Sequence, residues 1–269
     1  MTTHPFLAVD PMRHITLCLI LLCLSACSLM GERGDKDETE GLTAKDVYEL
    51  GKDRLDSGYY AGAIEVYEIL EERFPFGDYA QQALLDMAYA HFKTEDPEET
   101  ISALERFMKL YPTHSHMDYA FYLRGLANFN RGKGITQRFL PTDASQRDQG
   151  AALTSFQDFS ELIKRFPDSR YIEDAQQRMV YLRNILARHE VNVANYYMRR
   201  EAYVAAANRA RYVIEYYQQT PAVPDALAIM ARAYKVLDMN DLAEDSLRVL
   251  EINYPDHPGL YDVKRILVR

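Results

Sequence analysis

Residues 56–75 read DSGYYAGAIEVYEILEERFP, and the fold turns on this stretch. Gly58 falls where a turn needs a residue without Cβ. Ala63 and Tyr67 lie four apart and Leu70 follows three later, so the three share one face of a helix. Pro75 stops that helix, because it has no N–H to donate and its ring clashes with the preceding turn. The stretch therefore predicts a turn and the second helix of a helix–turn–helix unit. Its ending recurs along the chain as Phe74-Pro75, Tyr111-Pro112, Phe166-Pro167 and Tyr254-Pro255, with Thr220-Pro221 between the last two.

From Pro75 to Pro112 is 37 residues and from Pro221 to Pro255 is 34, while Pro112 to Pro167 is 55 and Pro167 to Pro221 is 54. A period of about 34 residues with small residues and a closing proline is the tetratricopeptide (TPR) signature. Each long gap reads as one such repeat plus roughly twenty extra residues. A helix pair of this kind cannot bury its own apolar face, so the expectation is an all-α chain of five TPR-like repeats stacked as a superhelical solenoid.

The chain carries 31 Lys+Arg against 40 Asp+Glu, a net charge of −9. That balance argues against sequence-independent nucleic-acid binding, which needs a basic face to neutralise phosphates. Cys18, Cys23 and Cys27 all lie near the N-terminus and none follows, so the folded part holds neither a thiolate metal site nor a disulfide framework.

Met12-Arg13-His14 precedes the ten-residue apolar run of Ile15 to Leu24, then Ser25-Ala26-Cys27. This pattern predicts a secretory signal over 1–26, with Met12 as the true start, and the apolar run is too short to span a bilayer. Leu24-Ser25-Ala26-Cys27 resembles the lipobox of bacterial lipoproteins. That resemblance implies an S-diacylglyceryl group and an N-acyl chain on Cys27. Ser28, in place of the Asp that holds such proteins at the inner membrane, implies transfer to the outer membrane. No other cofactor is expected.

Residues 27–43 are charged and glycine-containing and predict a flexible tether. Repeats 1–3 are expected over 44–167, with Pro97 opening the second helix of repeat 2. Arg131 to Asp148 contains two glycines and a proline and reads as an insertion in repeat 3. Repeats 4 and 5 are expected over 168–269. No Pro or Gly occurs from Asp168 to Gln219, and an apolar stripe from Ile172 to Tyr197 predicts one long helix over 171–199, with His189 in the stripe as a satisfied packing residue. Leu260, Val263, Ile266 and Leu267 predict a capping tail.

No G-x-S-x-G, H-E-x-x-H or G-x-G-x-x-G occurs, His114 and His116 read as a solvated turn pair, and nothing in the sequence requires an enzyme. In TPR proteins the first helices line a concave groove. By that resemblance Tyr48, Lys52, Tyr89, Phe92, Tyr119, Tyr122 and Phe129 face it. An aromatic row flanked by Lys52, Lys93 and Arg124 suits an extended peptide with an aromatic side chain and a free carboxylate.

The lipobox and repeats together resemble the BamD/ComL family, the lipoprotein subunit of the β-barrel assembly machine. RFPFGDYAQQA (73–83), YPTHSHMDYAFYLRGLANF (111–129), SQRDQ (145–149) and NYYMRREAYVAAANR (195–209) carry the likeness. It implies a non-enzymatic protein anchored by lipid on the periplasmic face of the outer membrane. Its N-terminal repeats would receive targeting segments of unfolded outer-membrane proteins. Its C-terminal repeats would dock the barrel subunit BamA and accessory Bam lipoproteins, with Asn208 and Arg209 matching the family's BamA-contacting pair. The alternative is a TPR lipoprotein scaffold for another envelope process, such as competence or cell-wall assembly.

Overall fold

The computed structural model describes residues 38–131, 145 and 149–265. The expected signal segment, Cys27, most of the tether, all of the 131–148 insertion except Arg131 and Ser145, and Ile266 and Leu267 lie outside the described residues. Met1–Thr43 and Ala44–Arg269 are separate compact units. The described part of the first is a turn in which Gly41 takes φ +78° and the Leu42 N–H donates to the Thr39 carbonyl.

The second unit is built, among the described residues, from eleven helices and no strands. They are α1 (Ala44–Asp56), α2 (Tyr60–Arg73), α3 (Asp78–Lys93), α4 (Pro97–Leu110), α5 (Met117–Arg131), α6 (Gly150–Arg165), α7 (Ile172–Arg199), α8 (Tyr203–Tyr216), α9 (Val223–Val236), α10 (Asn240–Asn253) and α11 (Gly259–Lys264). Sequential helices pack pairwise, so five hairpins form TPR-like repeats and α11 lies against α9 and α10.

One position decides how closely the two helices of a pair approach. Gly51, Ala88, Gly125, Ala194 and Ala231 occupy it in the five first helices, and all are buried. A Cβ on Gly51 would stand 2.5 Å from the Tyr67 ring, and one on Gly125 would stand 2.6 Å from the Phe159 ring. Both rings are essentially buried, at 1% and 0% exposure, and each such burial stabilises by about 1.5–3 kcal/mol.

The turns inside the repeats are alike. Gly58, Glu95, Glu201 and Asp238 all take the left-handed conformation, at φ +81°, +62°, +60° and +59°. The N–H after each reaches back across the turn, Tyr59 to Arg54, Asp96 to His91, Ala202 to Tyr197 and Met239 to Tyr234, at 2.9–3.0 Å. These are Schellman closures, which satisfy carbonyls that the helix end leaves without partners. Pro97 stands at the start of α4, where Asp96 caps by accepting the Glu99 N–H.

The second helices also end alike. Phe74, Tyr111, Phe166, Tyr217 and Tyr254 each donate a backbone N–H to a carbonyl four residues back, on Leu70, Phe107, Leu162, Val213 and Leu250, every one of which is fully buried. In repeat 4 the closing residue is therefore Tyr217, not Thr220-Pro221. Thr220 Oγ1 donates to the Tyr217 carbonyl (2.8 Å), and Pro221 belongs to the turn into α9.

Helix α7 runs for 28 residues. Its first half meets α5 through Phe129–Tyr181 ring contact, and its second half packs on α8 and α9 through Ala187, Val191 and Ala194. Ser145, from the insertion, is buried against that second half. The His189 Nδ1 donates to its carbonyl and the Asn192 amide to its hydroxyl, both at 2.8 Å. His189 is thus satisfied by that hydrogen bond from its half-buried place on the helix. In the tail, Leu260 and Val263 are buried, and Lys235 Nζ donates to the Val263 carbonyl.

Gly125→Ala should lower stability by about 1–3 kcal/mol, because the Phe159 ring has no room to retreat. A shift of the urea midpoint to lower concentration, with far-UV dichroism unchanged in the folded state, is the expected result. An unchanged midpoint would show that the two helices can separate freely.

Candidate functional site

The first helices of repeats 1–3 and the start of α7 bring aromatic side chains together along one wall. Tyr48 lies 5.5 Å from Tyr79 and 6.1 Å from Tyr67, between ring centroids. Tyr89 meets Tyr60 edge-on at 6.4 Å. Tyr122 stacks on Tyr171 at 4.5 Å with an interplanar angle of 13°, and Tyr119 approaches the same ring at 5.5 Å. Phe129 contacts Tyr181, and Phe92 is half-buried.

The phenol hydroxyls are anchored by acids. Tyr48 and Tyr67 donate to Asp86 Oδ2 at 3.0 and 3.4 Å, and Gln82 donates to Oδ1 at 2.8 Å. Burial raises the Asp86 pKa, and the donors offset part of that. Tyr122 donates to Asp174 at 2.7 Å, and Arg178 donates to the same carboxylate at 2.5 Å. Arg178 therefore holds Asp174 below the usual carboxylate range. Burial, then the bond to Asp174, pushes the Tyr122 phenol up to about 12, and burial drives Tyr48, Tyr67 and Tyr119 upward too.

The cations are arranged differently from the expected flanking trio. Arg124 points between α5 and α6. Its Nε and Nη2 reach Asp158 Oδ1 at 2.8 and 2.6 Å, and its guanidinium lies 5.2 Å over Phe121. Arg124 and Tyr122 are two residues apart on one helix, so they face different ways. Its charge is spent on a nearly buried carboxylate, and Arg124 does not flank the groove. Lys52 pairs with Asp56 one turn on, and Lys93 lies over the Tyr60 ring at 5.7 Å.

Sequence reasoning missed Tyr171, Asp174, Arg178 and Tyr181, which continue the wall. Their spacing of three and four was a helix-face signal, but Tyr171 immediately precedes α7 and the other three sit in its extension, which has no counterpart in the repeat pattern. His114 and His116 pair with each other in the turn, His116 N–H donating to His114 Nδ1 at 3.1 Å, and the His114 ring packs on Phe107.

A second candidate region lies on α8. Asn208 and Arg209 are adjacent and exposed. Arg209 Nη1 reaches Glu190 of α7 at 3.0 Å while remaining 48% exposed, and Asn208 Oδ1 accepts from Arg211 at 3.1 Å. Among the described residues no helix is long and apolar enough to cross a membrane.

The chain matches the family described as YfiO, outer membrane lipoprotein, over residues 40–250. It is 45% identical over 252 residues to the outer membrane protein assembly factor BamD of Neisseria gonorrhoeae, covering 93% of this chain and 94% of that one. It is 38% identical to the protein of the same name from Xylella fastidiosa strain Temecula1, over 84% of this chain and 77% of the other. Among solved structures, a thermophilic TPR protein of Thermus thermophilus aligns over 82% of this chain and 95% of its own, at 12% identity and a TM-score of 0.37, a level that carries no argument.

Alkaline titration checks the buried phenols. A pKa raised in the folded state stabilises fully below the ordinary value of about 10 and less as pH climbs through 12. Tyrosinate absorbance at 295 nm should therefore rise in two stages, exposed phenols first. The Tyr48, Tyr67 and Tyr119 fraction should appear only together with loss of helical dichroism. A single titration near pH 10 with the helices intact would contradict this burial.

Proposed function

The chain belongs to the YfiO family of outer membrane lipoproteins, and we propose that it is a non-enzymatic scaffold of the machinery that assembles β-barrel outer-membrane proteins. Its aromatic wall, from Tyr48 to Tyr181, receives an extended targeting segment of an unfolded outer-membrane protein. That wall is the observation on which the reading rests. Successive faces of tyrosine and phenylalanine supply large contact area with little side-chain entropy to lose, while hydrogen-bonded acids hold the rings in place.

The C-terminal repeats dock a BamA-like barrel subunit, and accessory lipoproteins of the complex bind as well. Asn208 and Arg209 are the contact pair on this chain. Arg209 suits the role because its side chain stays about half exposed while it pairs with the largely buried Glu190, so its guanidinium can also meet a carboxylate of the partner. Acyl chains on Cys27 hold the protein on the periplasmic face of the outer membrane, since more than one chain gives stable anchoring.

A pull-down from detergent-solubilised membranes, with a tag at the C-terminus, tests the assignment. Recovery of a large β-barrel protein in near-equal amount is expected. Recovery of only soluble or cell-wall proteins would favour a scaffold for another envelope process. Arg209→Glu, which sets a carboxylate beside Glu190, should lose most of the barrel subunit with dichroism unchanged; full recovery would remove Arg209 from the contact. Cys27→Ala should move the protein to the soluble periplasmic fraction, and its retention in the outer membrane would refute lipidation there.

A further inference from the structure

A cavity of about 580 Å³ runs along the second half of α7. Asn192, Asn195 and Arg199 of its lining recur at steps of three and four, so they share one helix face, opposite Glu190 and its bond to Arg209. Arg188 continues that face and pairs with Asp225 of α9. Two turns on from Asp225, the same face of α9 carries the half-buried Arg232. Asn195, Arg199 and Arg232 have no hydrogen-bond or ion-pair partner among the described residues. Tyr196, also in the lining, is 48% exposed and carries Arg200 over its ring at 5.5 Å. Among the described residues no carboxylate lines the cavity. Of the acids around it, Asp225 is taken by Arg188 and His257, and Glu190 lies on the far side of the helix. Glu201, exposed in the turn after α7, makes no ion pair among the described residues and is set against Arg199, Arg200 and Arg232. Three cations against one acid leave this face positive, in a chain whose net charge is −9.

We propose that this face of repeats 4 and 5 receives an extended, acidic segment of a partner protein. The surface is separate from the aromatic wall of repeats 1–3 and from Asn208 and Arg209, so the inference goes beyond the assembly reading. The stripe from Arg188 to Arg199 covers about 16 Å of helix, the length of roughly five residues of extended chain. An extended segment leaves its backbone N–H and C=O groups open, and the Asn195 amide can donate to one and accept from the other. A helix has already paired those groups within itself. Planar guanidinium takes a side-chain carboxylate with two parallel hydrogen bonds, which gives Arg199 and Arg232 their partners. The donors are spread over two helices rather than gathered at one point, which fits a chain bearing several carboxylates and not a single small anion.

The test is fluorescence anisotropy on the full chain in detergent, with two labelled peptides of Gly and Ser whose ends are acetylated and amidated. One carries several Glu residues and the other carries Gln in the same places. The Glu peptide should bind the wild type about tenfold tighter, the weight of two exposed ion pairs. Arg199→Gln and Arg232→Gln should each cut that preference about threefold. Arg248→Gln, on the outer surface of α10 where Arg248 pairs with Asp245, should leave it unchanged. Equal binding of the two peptides to the wild type, or no binding of the Glu peptide, overturns the proposal. An equal loss in Arg248→Gln also overturns it, because net charge and not this face then drives binding. Displacement of the Glu peptide by millimolar inorganic phosphate at constant ionic strength overturns it too, because a single small anion then suffices. None of these failures touches the recovery of a barrel subunit in the pull-down, so the assembly reading stands or falls separately.

Discussion

In each repeat a small residue on the first helix lets the second helix lie almost against its backbone. Gly51 faces Tyr67 and Gly125 faces Phe159 at distances that leave no space for a methyl group, and Ala88, Ala194 and Ala231 hold the same place in the other repeats. Close approach fixes the hairpin angle, because large side chains then interdigitate in one arrangement. A fixed hairpin fixes how the next one stacks, and stacking places the first helices side by side. That chain of contacts brings Tyr48 of repeat 1 against Tyr79 of repeat 2, and Tyr119 and Tyr122 of repeat 3 against Tyr171.

The wall solves a polar problem as well. Tyrosine hydroxyls turned inward need acceptors, and acids turned inward need donors. Asp86 takes Tyr48, Tyr67 and Gln82, and Asp174 takes Tyr122 and Arg178. With the oxygens satisfied against the protein, ring faces remain for a ligand. Of the nearby cations, Lys52, Arg124 and Arg178 are paired with acids of the same chain.

Helix α7 joins the regular repeats of the two halves, and its two halves do different work. The first carries Asp174, Arg178 and Tyr181 and prolongs the wall beyond repeat 3. The second completes repeat 4 with α8 and receives Ser145 of the insertion through His189 and Asn192. The long helix and the insertion, separate irregularities in the repeat pattern, are joined by those hydrogen bonds.

The helical hairpins, the left-handed turn at Gly58, the length of α7 and the small-residue positions were legible in the chain, because each depends on neighbours three, four or a few residues away. Glu95, Glu201 and Asp238 adopt the same turn as Gly58 without glycine, since the Schellman closure holds them there, and no residue type announces that. Repeat register put Tyr48 and Tyr122 on the first helices of their repeats, and the folded chain decided which rings they meet. Arg124 could not be placed by the same means, because whether a cation faces a groove or a buried Asp158 depends on a helix that follows an insertion. Tyr171 and Asp86 joined the aromatic cluster only through contacts between residues of different repeats. Local periodicity is written in the sequence, whereas the pairing of charges across stacked repeats is decided by distances that only the folded chain sets.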